Sequence, residues 1–269
     1  MRAEPVADTP YLELGEGPLW DQSAQLLRWI GIPDRRVLTL DPASGAISSV
    51  ELDVTPGTLM PYGDGGLMLA TERGFERLDP ATGRTTLVAA VEADRQDRRM
   101  NDGKTDPYGR PVAGSMGRGE PREPGSLYRL ERDGGIRAIL GGLDIPNGLA
   151  WPEPDRLWHI DTTTRRIALY PYPEHGPLGE RIRTLDVSHL PGYPDGMTLD
   201  ADGNLWVAFW DGWAVRCLSP EGEVLASVEL PVPRVTSCAF GGPDGRTLYI
   251  TSARSDQQPL SGGLFSVRV

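Results

Sequence analysis

One pattern recurs along this chain and limits its fold more than any other feature. A polar residue and glycine open a short apolar strand. An Asp/Gly turn follows, then a strand rich in Leu, Trp and Tyr, then another strand ending in a DPxSG-like turn. The clearest copies are GEGPLWDQSAQLLRWIGI, PNGLAWPEPDRLWHIDT and PDGMTLDADGNLWVAFWDG. Weaker copies begin near Met60, at NDGKTDPYGRPVAGSM and at SCAFGGPDGRTLYITSA. Anchored at Glu16, Met60, Asn101, Asn147, Asp195 and Ser237, the six copies are spaced 41–48 residues apart. A four-stranded unit of roughly 40–50 residues is the size of a propeller blade. The expectation is therefore an all-β, six-bladed β-propeller with four-stranded blades, one domain over residues 1–269. The last run, GGLFSVRV, has no outer strand after it, so the N-terminal VADTPYLELG is expected to close the ring and leave no open edge.

Composition agrees with this and removes alternatives. Helical periodicity is nearly absent, and Gly 33 with Pro 25 is too much turn-former for a helical bundle. The net charge of −11 opposes a phosphate backbone or an anionic membrane. No apolar run reaches membrane-spanning length, and the N-terminus lacks the apolar stretch of a secretory signal. A cytoplasmic protein is expected, with Cys217 and Cys238 as free thiols. Neither nucleic acid nor membrane is an expected partner, and the chain is expected to be a monomer or weak dimer.

The chemistry concentrates in one slot of the repeat. Glu16-Gly17, Asn147-Gly148 and Asp195-Gly196 each place an oxygen-bearing side chain before glycine, and Asp102-Gly103 repeats this after Asn101. Equivalent slots in a propeller converge on one end of its central channel. Carboxylate and amide oxygens suit Ca²⁺, Mg²⁺ or Mn²⁺, and Zn²⁺ or Fe²⁺ less well. Three protein ligands leave room for water and substrate. Asn-Gly and Asp-Gly also form turns, which is the competing explanation for each pair alone. Against it, the chain has only three Asn, and two of them, Asn101 and Asn147, fall in these slots.

The segments GEGPLWD, RMNDGKTDPYGR, PNGLAW, YPDGMTLDADGNLWVA and TSCAFGG…LYITSAR resemble the senescence marker protein/regucalcin/gluconolactonase family, in order from about Leu14 to Val269. The resemblance implies a six-bladed propeller holding one divalent metal ion, with many members hydrolysing sugar lactones. It puts the metal ligands on Glu16, Asn147 and Asp195; Asp195 is further expected to serve as the catalytic base, because a carboxylate beside both metal and water has the needed reach. It puts the residues that contact substrate hydroxyls on Arg99 and Asn101. A substrate-binding glutamate of some members aligns with Gly119, leaving Glu120 one step out of register, and the family's W-x-D-I is here Trp29-Ile30-Gly31-Ile32. Two other functions remain on the same scaffold: a non-catalytic metal- or protein-binding propeller, and a metal-dependent esterase or phosphotriesterase.

Other conspicuous residues are expected to be structural. His159, His175 and His189 occupy no repeat slot, and no G-x-S-x-G, P-loop or dinucleotide motif occurs. Trp20, Trp29, Trp151, Trp158 and Trp206 read as inter-blade packing. Trp210 and Trp213, in FWDGW, read as blade-edge residues, with lining of the site mouth as the alternative. Arg118 and Arg122 sit in a polar stretch that reads as a solvated loop, with a lid over the site as the alternative, and Lys104, the chain's one lysine, is given no catalytic role.

Overall fold

The computed structural model describes residues 1–119, 122–256 and 258–269. Its strands form six separate four-stranded sheets, with one 3₁₀ turn at Thr162–Thr164. The first strands of the blades are Gly15–Asp21, Pro56–Tyr62, Arg98–Thr105, Pro146–Glu153, Tyr193–Leu199 and Val235–Gly241. Each touches the first strands of both neighbouring blades, so these six make a closed inner ring. The outer strands of the first two blades, Ala46–Glu51 and Thr85–Ala90, are mostly exposed. The fold is the expected six-bladed propeller.

Among the described residues there is no central core. The apolar residues instead form six clusters, each wedged between two adjacent blades. Large strand residues fill these wedges, which explains the recurrent tryptophans. Trp29, Trp158 and Trp206 are buried in them, while Trp20 and Trp151 pack at their margins.

Closure differs in detail from expectation. The sixth sheet is completed by Glu4–Pro5, pairing with Ser266 and Phe265, upstream of the VADTPYLELG segment. That segment instead carries the chain across to blade one, with Leu12 N–H donating to Gly262 O (2.9 Å).

Every inner strand carries an irregularity at the same height. The register breaks after Glu16, Pro56, Met100, Asn147, Pro194 and Val235. The Glu-Gly, Asn-Gly and Asp-Gly pairs are therefore bulge residues inside strands, and not turns. Bulges re-aim side chains, which suits a site. The aligned slots of blades two and six are Gly57 and Thr236, correcting the anchors Met60 and Ser237.

Candidate functional site

A cavity of about 480 Å³ opens at one end of the channel. Glu16, Arg99, Asn101, Asn147 and Asp195 all line it, brought from blades one, three, four and five. Glu120 lies outside the described residues. Asp102 faces a second cavity of about 280 Å³ with Lys104 and Cys238, whose lining shares no residue with the first. Blade three thus presents Asn101 to the site, and Asp102 falls on the other side of its bulge.

Glycine follows Glu16 because position 17 is left-handed, at φ 53°, and it follows Asn147 and Asp195 because the inner strands run close together there. A β-carbon on Gly148 would lie 2.8 Å from Met197 Cγ and 2.9 Å from Asp195 O, both on the next inner strand. Only hydrogen fits, so the oxygen-bearing neighbour is held where the blades come together.

A chain of hydrogen bonds orders the amides. Arg99 Nη1 donates to Asn101 Oδ1 (2.7 Å), and Asn101 Nδ2 donates to Asn147 Oδ1 (3.0 Å) and Pro146 O (2.9 Å). Asn147 Nδ2 donates to Thr162 Oγ1 (2.7 Å), which donates to Pro194 O (2.8 Å). Thr162 is thereby a committed acceptor for the Asn147 amide nitrogen, and the amide oxygen is turned the other way. That oxygen keeps a second lone pair beyond the one Asn101 uses.

The carboxylates are electrostatically frustrated. Burial, reinforced by the charge of Asp102, pushes the Glu16 carboxyl up to about 8. Burial, then Glu16 and Asp102, raises Asp195 well above the usual carboxylate range. Burial raises Asp102 as well. Glu16 accepts a hydrogen bond from Gly17 N–H (3.1 Å), and no side chain among the described residues donates to Glu16 or Asp195. Arg99 gives Coulombic relief to both, yet burial, then Arg118, lowers its own pKa to about 10. Like charges held close together and largely buried favour protonation or a cation. Among the described residues no three His, Cys, Asp or Glu side chains form a metal-holding group. An ion shared by Glu16 and Asp195 would take its third protein oxygen from Asn147.

A family model, described as the SMP-30/Gluconolactonase/LRE-like region, matches residues 14–254. The chain belongs to this family. Among other SMP-30/gluconolactonase relatives, it is 33% identical to Regucalcin of Xenopus laevis, covering 99% of this chain and 94% of that one. It is 36% identical to 6-deoxy-6-sulfogluconolactonase of Pseudomonas putida, covering 95% and 91%. The solved structure of a calcium-binding regucalcin from Agrobacterium tumefaciens superposes with a TM-score of 0.91 at 30% identity, covering 98% and 92%.

Thr162 and Thr163, outside every motif, line the cavity, as do Tyr193 and Asp211, which lie in quoted segments without an assigned role, and Arg122, from the polar stretch whose alternative reading is a lid over the site. The FWDGW segment was singled out, and Trp210 does line the cavity, whereas Trp213 does not and is 38% exposed. Lys104 lies in the channel and donates from Nζ to Met197 O (2.9 Å). His159 is buried in a strand, and burial alone lowers its pKa to about 4. Cys217 and Cys238 are buried and unbridged. Among the described residues no helix is long and apolar enough to cross a membrane.

Proposed function

We propose that this protein is a divalent-metal-dependent hydrolase that opens sugar lactones to aldonic acids in the cytoplasm. The supporting observation is that Glu16, Asn147 and Asp195 share one cavity with Arg99 and Asn101. Two frustrated carboxylates and an oriented amide oxygen are an oxygen-only donor set, which fits a hard cation such as Ca²⁺. The lactonase and calcium-binding names of its relatives support the same reading. When bound, the ion supplies Lewis acidity at the lactone carbonyl and the charge that keeps both carboxylates ionised.

The side chains divide the remaining work. Arg99 donates to ring hydroxyls, Asn101, whose two N–H groups are already committed, accepts from one through Oδ1, and together they hold the ring in one orientation. Asp195 accepts a proton from water as the water oxygen bonds to the carbonyl carbon. The ring C–O bond then breaks, and the leaving alkoxide takes that proton back. Water is consumed, and the product is the open hydroxy acid.

A panel of aldonolactones, assayed after chelation and after return of single divalent ions, tests this directly. Turnover is expected to vanish with the metal and return with at least one ion. Asp195→Asn is expected to lower kcat by about 100-fold or more, the usual scale for a lost general base. Metal-independent turnover, or phosphotriester cleavage in place of lactone opening, would overturn the reading.

A further inference from the structure

Two aromatic side chains form a wall of the cavity that the chemistry above leaves unused. Tyr193 begins the inner strand of blade five, Trp210 ends the strand beside it, and the two are register partners. Directly opposed residues of an antiparallel pair share one face of the sheet. Both line the cavity, with Tyr193 44% exposed. Each ring has a guanidinium over it, Arg165 at 5.1 Å from the Tyr193 centroid and Arg234 at 5.2 Å from that of Trp210. Neither arginine is part of the cavity lining. Arg165 Nη2 is tied to Leu190 O (2.6 Å) and Gly192 O (3.0 Å), and Arg234 Nη1 to Arg254 O (2.7 Å). The cations therefore clamp the rings from outside the cavity.

The backbone beneath is equally constrained. Asp211 and Trp213 both hold left-handed conformations, at φ 56° and 57°. Gly192 is left-handed too, and a β-carbon there would sit 2.6 Å from Gly212 Cα. Left-handed non-glycine residues are strained and persist where the surroundings enforce them, often at ligand clamps.

We propose that Tyr193 and Trp210 form a fixed aromatic platform that stacks against the C–H face of the sugar lactone ring and selects its configuration. This rests on the lactone reading and adds a specificity element to it. The faces of aromatic rings carry negative potential and are poorly hydrated, so they attract polarised C–H groups and repel hydroxyl oxygens. A ring hydroxyl turned onto the platform would lose its water without gaining a hydrogen bond. Epimers with an unbroken C–H face fit, and epimers with a hydroxyl on that face do not. Arg99 and Asn101 read the remaining hydroxyls from blade three.

The test uses the aldonolactone turned over fastest by the unaltered protein, its epimers, and the corresponding non-hydrolysable lactam. Stacking binds ground state and transition state alike, so its loss appears in KM and not in kcat. Trp210→Ala and Tyr193→Leu are each expected to raise KM and weaken lactam binding by about 3- to 10-fold. Discrimination between epimers is expected to shrink by a similar factor, while Trp210→Phe stays near the unaltered protein. Unchanged KM, lactam affinity and epimer ratio in both folded variants would overturn the platform, as would a fall in kcat at constant KM. If the unaltered protein opens no lactone, the lactone reading fails separately. A panel of epimeric aldonolactams, chosen without reference to turnover, then still decides the platform: saturable tryptophan quenching that disappears in Trp210→Phe supports it, and no quenching with any of them overturns it.

Discussion

Thr162 has neither charge nor a place in any motif, yet it fixes which way the Asn147 amide points. Its hydroxyl proton is spent on Pro194 O, so toward Asn147 it can only accept. Removing it leaves the Asn147 amide nitrogen buried without that acceptor, and rotation of the amide would turn a donor toward the ion. Thr162→Ala is expected to weaken divalent-ion binding by about 10-fold, the lower end for losing a hydrogen-bond partner that orients a metal ligand, with Thr162→Ser close to the unaltered protein. Calorimetric titration with Ca²⁺ checks this, and equal affinities in all three proteins would contradict it. The contrast with Asn147 shows what a sequence discloses at this scale. Asn147 stands out because the chain nearly avoids asparagine and places it in a repeat slot. The role of Thr162 depends on a partner 32 residues away, in a different blade, which no local spacing encodes.

At the scale of the element, the inner-strand bulge organises the site. It was legible where the slot carries a carboxylate or amide, in blades one, three, four and five. In blade two the slot is Pro56-Gly57-Thr58, with no oxygen ligand to mark it, and the apparent anchor slides to Met60. Gly57 nonetheless tests the geometry of the inner ring. A β-carbon there would lie 2.6 Å from Asn101 O, on the backbone of the neighbouring inner strand, where no side-chain rotation gives relief. Gly57→Ala is expected to cost about 1–3 kcal/mol, the scale of overpacking. It is also expected to raise KM, because the strand it pushes carries Arg99 and Asn101. Gly141→Ala is the control: its β-carbon would meet only Ser126 Oγ at an ordinary 3.6 Å. Urea unfolding of both variants decides the matter, and equal midpoints would mean that the inner strands are not closely fitted at this height.

Over the whole molecule, stability depends on a ring that must close, because the six inter-blade clusters have no common core to fall back on. The ring's existence was legible from the period of the repeat. Its latch was not, because a two-residue strand is too short to show alternation. Glu4–Pro5 pairs with the last strand, while Ala3 N–H donates to Glu229 O (3.0 Å) and Glu229 N–H to Met1 O (2.9 Å) on blade five. Ala3 is also buried in the cluster between blades five and six. Deleting residues 1–5 removes these bonds and exposes that cluster. At about 1 kcal/mol net per hydrogen bond and 2–4 °C per kcal/mol for a chain of this size, Tm is expected to fall on the order of 10 °C. The effect extends to the site. Blade six is the wedge between blade one, which carries Glu16, and blade five, which carries Asp195. A loosened blade six lets the two carboxylates drift apart, so the truncated chain is expected to gain less thermal stability from added Ca²⁺ than the full chain. Thermal unfolding of both chains with and without Ca²⁺ separates the outcomes. A lowered Tm with an undiminished Ca²⁺ increment would confine the latch to stability, and an unchanged Tm would show that the ring holds without it.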